Sequence, residues 1–295
     1  MRGNDTVRTL IRPAVLRTRR GKAVYWSLLV LVLGLFTVAF LIPLYWAGTG
    51  GMKTAGEVAQ NPPTYVPHEW HPENYLDAWN QLDLGRYFGN TVLLVGGAWL
   101  VQLLVQVPAA YALSKLRPRF GNLVLALMLV TLMMPVTALL VPVYLTVVDL
   151  PFLGVNLINT PAAVWLPAAA NAFNIYLLKN FFDRIPDELL DAARIDGAGP
   201  LSTMWRVVLP VSRPILAVVS ILSIVTAWKD FIWPLLVIPD PGKQPVSVFL
   251  ERVAQDVPLN VLTAGLVLAS LPLIGLFLVF QRQILAGLTA GSLKG

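Results

Sequence analysis

An all-α membrane protein with six transmembrane helices and both termini in the cytoplasm is the fold class that three observations predict. The 295 residues are 56% apolar and only 13% charged, about half the charge of an ordinary soluble domain, and mean hydropathy is +0.67. Six apolar runs, near 25–45, 91–113, 123–145, 157–177, 215–238 and 261–280, reach the roughly 20 residues a helix needs to cross a bilayer. Lys and Arg gather on alternate connections between these runs. The chain has no cysteine, which excludes a disulfide scaffold, a zinc finger and thiol chemistry.

Each element follows in order. Residues 1–22 form a basic tail carrying Arg2, Arg8, Arg12, Arg17, Arg19, Arg20 and Lys22. The apolar core of the first run, 28–44, is longer than the 7–15 residues of a cleavable signal segment, so it reads as an uncleaved anchor. Residues 48–89 make an external loop rich in Pro, Trp, Tyr and acids. Its His68 and His71 have ligand-like spacing, but they are the chain's 2 histidines and no cysteine completes a metal set. Lys115, Arg117 and Arg119 follow the second run, and Lys179, Arg184, Arg194, Arg206 and Arg213 the fourth. Arg282 and Lys294 lie at the end, whereas the opposite loops hold Lys53, Arg86, Lys243 and Arg252. Basic residues remain on the cytoplasmic side. The net charge of +6 is thus explained by topology, without a nucleic acid partner. Residues 23–283 form the six-helix transmembrane domain, with a cytoplasmic loop at 179–213, and residues 284–295 a cytoplasmic C-terminal tail.

The sequence carries no phosphate loop of the form G-x-x-x-x-G-K-[ST]; Gly21-Lys22 and Gly242-Lys243 lack both the upstream glycine and the following hydroxyl. It shows no nucleophile elbow and no paired acids within the runs, so no enzyme, cofactor or metal site is expected. Polar side chains in hydrocarbon are costly and usually face a bundle interior or a cavity. On that ground Lys229 and Asp230 are candidates for a solute path, with Asn171, Asn174 and Thr137 as weaker ones and Trp228 offering an aromatic face.

The loop at 179–213 is the most informative stretch. Residues 186–196, closed by Gly197, read as a short helix. Pro186 suits the first position, Asp187 and Glu188 complement the positive dipole end, and Gly197 followed by Gly199-Pro200 is a stop. Eleven residues give a rod of roughly 16 Å, with Leu189, Ala192 and Ala193 on one side. A second helix, near 201–209, should end before Pro210. Such a pair is either a simple linker or a knob that docks on a cytoplasmic partner.

Asp191-Ala192-Ala193, three residues, Gly197, nine residues, Val207-Val208-Leu209-Pro210 resembles the EAA loop of ABC importer permeases, with Asp191 for Glu and Val207 for Ile. Three further stretches resemble the carbohydrate importers of the maltose type. These are Glu73-Asn74-Tyr75 with Arg86-Tyr87-Phe88-Gly89-Asn90-Thr91; Trp228-Lys229-Asp230-Phe231-Ile232-Trp233-Pro234-Leu235, where the family usually has Asn at position 229; and Gln281-Arg282 with the tail from Gly287 to Gly295. The tail favours the second permease subunit. The resemblance implies a type I ABC importer transmembrane domain in the cell membrane, plasma or inner. It implies ATPase coupling through Glu188, Asp191, Ala192, Ala193, Asp196, Gly197, Leu209 and Pro210, and an ATPase contact at Gly287, Thr289 and Gly291. Implied partners are a second permease, two cytoplasmic ATPase subunits holding ATP and Mg, and an extracytoplasmic sugar-binding protein. A non-sugar ABC permease and a stand-alone secondary transporter are the alternatives.

Overall fold

The structure is a computed structural model that describes the backbone of residues 18–292 and the side chains of 18–281. The basic residues Arg2 to Arg17 therefore lie outside the described residues. Helix α1 (Arg19–Gly50) is one unbroken rod of 32 residues, about 48 Å long, and only Thr49 and Gly50 of it are buried. The loop that follows holds two short helices, α2 (Ala55–Val58) and α3 (Glu73–Gln81). Helix α4 (Leu84–Tyr111) continues through a π-helical turn at Ala112–Leu116.

The third predicted run is split into α5 (Gly121–Thr131) and α6 (Val136–Val148), bent by 111°. Pro135 sits at the break with extended backbone, where it has no N–H to continue a helix. The fourth run is split as well, into α7 (Ala162–Ala168) and α8 (Ala172–Phe182). Pro167 lies in the last turn of α7, Asn171 caps α8 by accepting from Asn174 N at 3.0 Å, and Gln106 Nε2 donates to the freed Ala169 carbonyl at 3.1 Å. A neighbouring helix thus satisfies the broken backbone, as membrane helices require.

Next come α9 (Asp187–Ile195) and a helical stretch made of α10 (Pro200–Thr203), a π-helical turn at Met204–Val208 and α11 (Leu209–Val211). Helix α12 (Arg213–Lys229) leaves this stretch at 85°. The fifth predicted run is interrupted at Asp230 and Phe231 before α13 (Ile232–Val237). Helices α14 (Val246–Arg252) and α15 (Leu259–Ser292) are the last described elements. By length and apolarity α1, α4 and α15 could each cross a membrane, and the two bent pairs raise the number to five. The α7–α8 pair is not among these candidates.

Packing sets the directions of the helices. Val107, Ala110 and Tyr111 at the end of α4 share a core with Ile175, Leu178 and Phe182 of α8 and with Ile215, Val218 and Val219 of α12. Nearer its start, Leu94 of α4 meets Val164 of α7 and Val237 and Ile238 at the end of α13. So α4 and α7–α8 run parallel, and α12–α13 runs against both. Leu84 meets Val261, Leu262 and Ala264 of α15, which places the starts of α4 and α15 at one end. Trp165 lies flat on Gly97, where any Cβ would overlap the indole, and its Nε1 donates to the Leu94 carbonyl at 3.0 Å.

Candidate functional site

Two places gather the predicted residues: an elbow formed by 179–213, and a cavity among α4, α6, α7 and α12–α13.

In the elbow, α9 is two residues shorter than the sequence suggests. Pro186 is the cap with extended backbone rather than the first helical residue, and Asp196 is the C-cap. Gly197 has φ +79°, its N–H bonds to Arg194 O at 2.9 Å, and Ala198 N bonds to Ala193 O at 2.9 Å. This is a Schellman stop, and a left-handed residue there favours glycine. Leu190 points inward and is buried against Phe182, Met204 and Val208. Leu189, Ala192 and Ile195 point outward, Ile195 being 87% exposed. Glu188, Asp191 and Asp196 are also exposed, with Asp191 paired to Arg194 at 2.8 Å. The second helix does not end before Pro210. It runs through Leu209 and Pro210 to Val211, and the chain turns at Ser212. The π turn just before Pro210 supplies the backbone adjustment that lets a proline sit there. Leu201 and Trp205 of this helix are exposed as well. The elbow therefore offers a row of apolar side chains with acids beside them, and Leu190 holds it to the bundle.

The sequence reading missed what ties α9 to α4. Lys115 lies in the π turn with its side chain only 5% exposed, and its Nζ donates to Ile185 O at 2.7 Å and to Asp187 Oδ1 at 2.8 Å. Beside it Ser114 Oγ donates to Asp183 Oδ1 at 2.7 Å, and Lys179 Nζ to Asp183 Oδ2 at 2.7 Å. The Lys115 hydrogen bond and charge hold Asp187 below the usual carboxylate range, with Arg117 and Arg194 adding to the effect. Burial pushes Asp183 up, but the hydrogen bonds from Lys179 and Ser114 and the charges of Lys179 and Lys115 outweigh it and hold it low. A reader of the sequence sees Lys115 only as one more cytoplasmic charge. Its π-turn position, which aims it across to the elbow, is not a pattern of residue types.

The cavity encloses about 390 Å³ and is lined by Gln102, Thr137, Pro167, Thr226, Asp230 and Trp233 among others. Thr137 and Asp230 are thus brought together. Asp230 lies just ahead of α13 and accepts from Trp233 N at 3.3 Å, and Lys229 lines an adjoining space with Val136, Thr226 and Asp230. Three candidates stand elsewhere. Trp228 turns to the other side, donating from Nε1 to Ala269 O of α15 at 3.2 Å and lining a separate space of about 380 Å³. Asn174 is buried and donates to Ser223 Oγ at 3.2 Å, while Asn171 is occupied as the α8 cap. Gln102, which faces the cavity, and its fully buried neighbour Gln106 went unnoticed. The argument from polar groups in an apolar run applies to both and would have found them. Gly287, Thr289 and Gly291 lie on the last turns of α15, and their side chains fall outside the described residues.

Residues 106–288 match the family described as binding-protein-dependent transport system inner membrane component. The chain belongs to this family. The match takes in the elbow, most of the cavity wall and α15. Relatives extend the permease assignment across nearly the whole length. A diacetylchitobiose uptake system permease of Streptomyces coelicolor is 30% identical over 97% of this chain and 93% of its own. A melibiose/raffinose/stachyose import permease of Bacillus subtilis is 30% identical over 95% and 100%. A bacterial ABC transporter that imports the acidic polysaccharide alginate shares the fold, with a TM-score of 0.79 at 24% identity over 90% of this permease and 98% of that chain.

Proposed function

We propose that this permease is a six-pass subunit of an ATP-driven importer of sugars or oligosaccharides, with both termini cytoplasmic. The observation that carries the reading is the elbow. Leu190 anchors it inward, and Leu189, Ala192, Ile195, Leu201 and Trp205 form an apolar surface that nothing among the described residues covers. Such surface exposed beside acids suits a partner with a matching groove. The chain's own sequence has no phosphate loop, so the partner is the ATPase, which holds ATP and Mg. A second permease completes the path, and an extracytoplasmic binding protein delivers the solute. Alternation of helix directions supports six passes, with α7–α8 as a broken fourth. Elbow movement would pass through Lys115 into α4 and through the 85° bend into α12, which both line the cavity. ATP drives the change only by binding its two states unequally.

The sugar class rests on the relatives named above. A glycerol-3-phosphate reading is favoured by one observation: an sn-glycerol-3-phosphate permease of Brucella abortus is 29% identical over 88% of this chain.

Tagging the chain, solubilising native membranes in mild detergent and assaying the eluate for ATP hydrolysis tests the reading. An ATPase and a second permease should co-purify, and sugar-loaded binding protein should stimulate hydrolysis. Gly197→Asp should weaken that stimulation. No atom lies within 4 Å of the added Cβ, so the effect comes from the left-handed backbone and from a negative charge at the negative end of α9. A single band without ATPase activity would overturn the assignment.

A further inference from the structure

A further cavity, polar and of about 460 Å³, opens where α4 ends and α5 begins. Its wall is built from Ser114, Arg117, Arg119, Asn122, Lys179 and Asp183. Of its three cations, Lys179 is committed to Asp183 at 2.7 Å. Arg117 spends its Nε on the Ser114 carbonyl at 3.1 Å and senses Asp187 from a distance. Arg119 has no ion-pair partner among the described residues. The wall thus carries two positive charges beyond what its one carboxylate neutralises.

The surroundings say what kind of anion fits. The linker 117–120 joins two apolar helices, so the cavity lies where the hydrocarbon layer ends. Leu116 and Leu123 flank it, 50% and 57% exposed, and Phe120, between Arg119 and the start of α5, is 72% exposed. A free anion has no use for these apolar neighbours, whereas a lipid needs both parts. We propose that this cavity binds the phosphodiester headgroup of an anionic phospholipid. Arg117 and Arg119 hold the phosphate, and the acyl chains lie against Leu116, Phe120 and Leu123. The basic pocket at the cytoplasmic end of packed helices has the chemistry such headgroups select. Because Ser114 of the wall adjoins Lys115, which donates to Ile185 O and to Asp187 of α9, a lipid here would also brace the elbow. The proposal concerns the membrane around the permease, whatever solute the permease carries.

The test uses the purified full complex in nanodiscs of phosphatidylcholine with a minor fraction of phosphatidylglycerol, followed by native mass spectrometry of the lipid retained. One basic residue near an anionic surface contributes about fivefold in affinity. The double variant Arg117→Gln with Arg119→Gln should therefore retain phosphatidylglycerol about 25-fold more weakly. Arg117→Lys with Arg119→Lys should keep most of it, and Lys243→Gln with Arg252→Gln, which removes equal charge at the other end, should change nothing. Equal retention by the Gln variant and wild type would overturn the proposal. So would displacement of the lipid by inorganic phosphate at matched concentration, which would make the cavity a free-anion site. If the Gln variant fails to assemble, phosphatidylglycerol titrated into the wild-type complex decides: saturable retention of phosphatidylglycerol over phosphatidylcholine supports the site, and unsaturable retention refutes it.

Discussion

Loop 48–89 and the elbow 179–213 are connections of similar kind, polar chain between apolar helices, yet they hold their buried polar groups in different ways. The loop pairs its buried polar groups within itself, although Tyr65, Trp70 and Leu76 on its surface are exposed. Buried Lys53 donates to Thr64 O at 2.6 Å and stands over the Trp46 ring at 4.8 Å. Buried Glu57 accepts from Thr64 Oγ1 at 2.7 Å and from His68 N at 3.0 Å. Asn74 Nδ2 donates to both Gly51 O and Lys53 O, and Tyr75 OH to Gly48 O at 2.7 Å. The elbow holds on by Ile185, Leu190, Met204 and Val208 and by the buried Lys115, and leaves Ile195, Leu201 and Trp205 in the open. The loop's network of paired buried polar groups contributes stability, and the elbow's exposed Ile195, Leu201 and Trp205 beside acids are offered for binding.

Variants in the two regions should therefore fail differently. The largest expected effect is Asn74→Ala, which leaves two buried carbonyls without their donor and should cost about 2–3 kcal/mol of stability. Thermal unfolding in detergent measures it, and ATPase binding by the surviving folded fraction should be unchanged. Trp205→Ala should do the reverse. Its melting should stay within about 0.5 kcal/mol of wild type, while affinity for the ATPase falls about 30-fold, the 2 kcal/mol typical of a lost aromatic anchor. If instead its melting drops and binding survives, the elbow is a packed linker and the contrast collapses. Gly197→Ala should sit between the two, costing about 1 kcal/mol through its left-handed backbone, with melting and binding both slightly weakened.

The smallest effect is one of pH. Asp187 is held low in the folded protein, so its pairing with Lys115 is fully present above the unfolded carboxylate value and is lost as pH falls through the folded one. His71 goes the other way. Its hydrogen bond to Glu73 raises it, burial works against that, and Glu69 adds to the rise; its contribution is present in acid and is lost as pH rises through its folded value. Hydrogen exchange should show α9 amides opening on acidification below about pH 4. The loop around His71 should loosen on the alkaline side of the ordinary imidazole value. Parallel behaviour of the two loops would count against the pairings described.

Much of this was legible in the residues. The apolar runs and the Gly197 stop are local patterns, and each has one physical reading. The resemblance stretches also resolve into plain contacts. Asn74 and Tyr75 tie the loop to the end of α1. Asn90 Nδ2 donates to Gly242 O and Gln244 O, each at 3.0 Å, and Thr91 Oγ1 accepts from Val246 N at 2.9 Å. What stayed hidden depends on partners far along the chain. Proline in a membrane helix can be tolerated or can break it, and Gln106 reaching the Ala169 carbonyl decides the matter for α7 and α8. The same holds for the run through Pro210, which a local stop rule ends too early. The direction in which Trp228 faces follows from the neighbouring α15, and no spacing within its own helix reveals it.

One helix carries a consequence of another sort. Among the described residues α1 meets its neighbours only near its C-terminal end, where Gly50 and Gly51 lie within reach of Thr263 and Ala264 of α15, and most of its length is exposed. A segment held by solvent rather than by fitted neighbours needs only to stay oily and long enough. Its individual letters can drift, with one leucine as good as another, whereas a single methyl group added at Gly97 has nowhere to go.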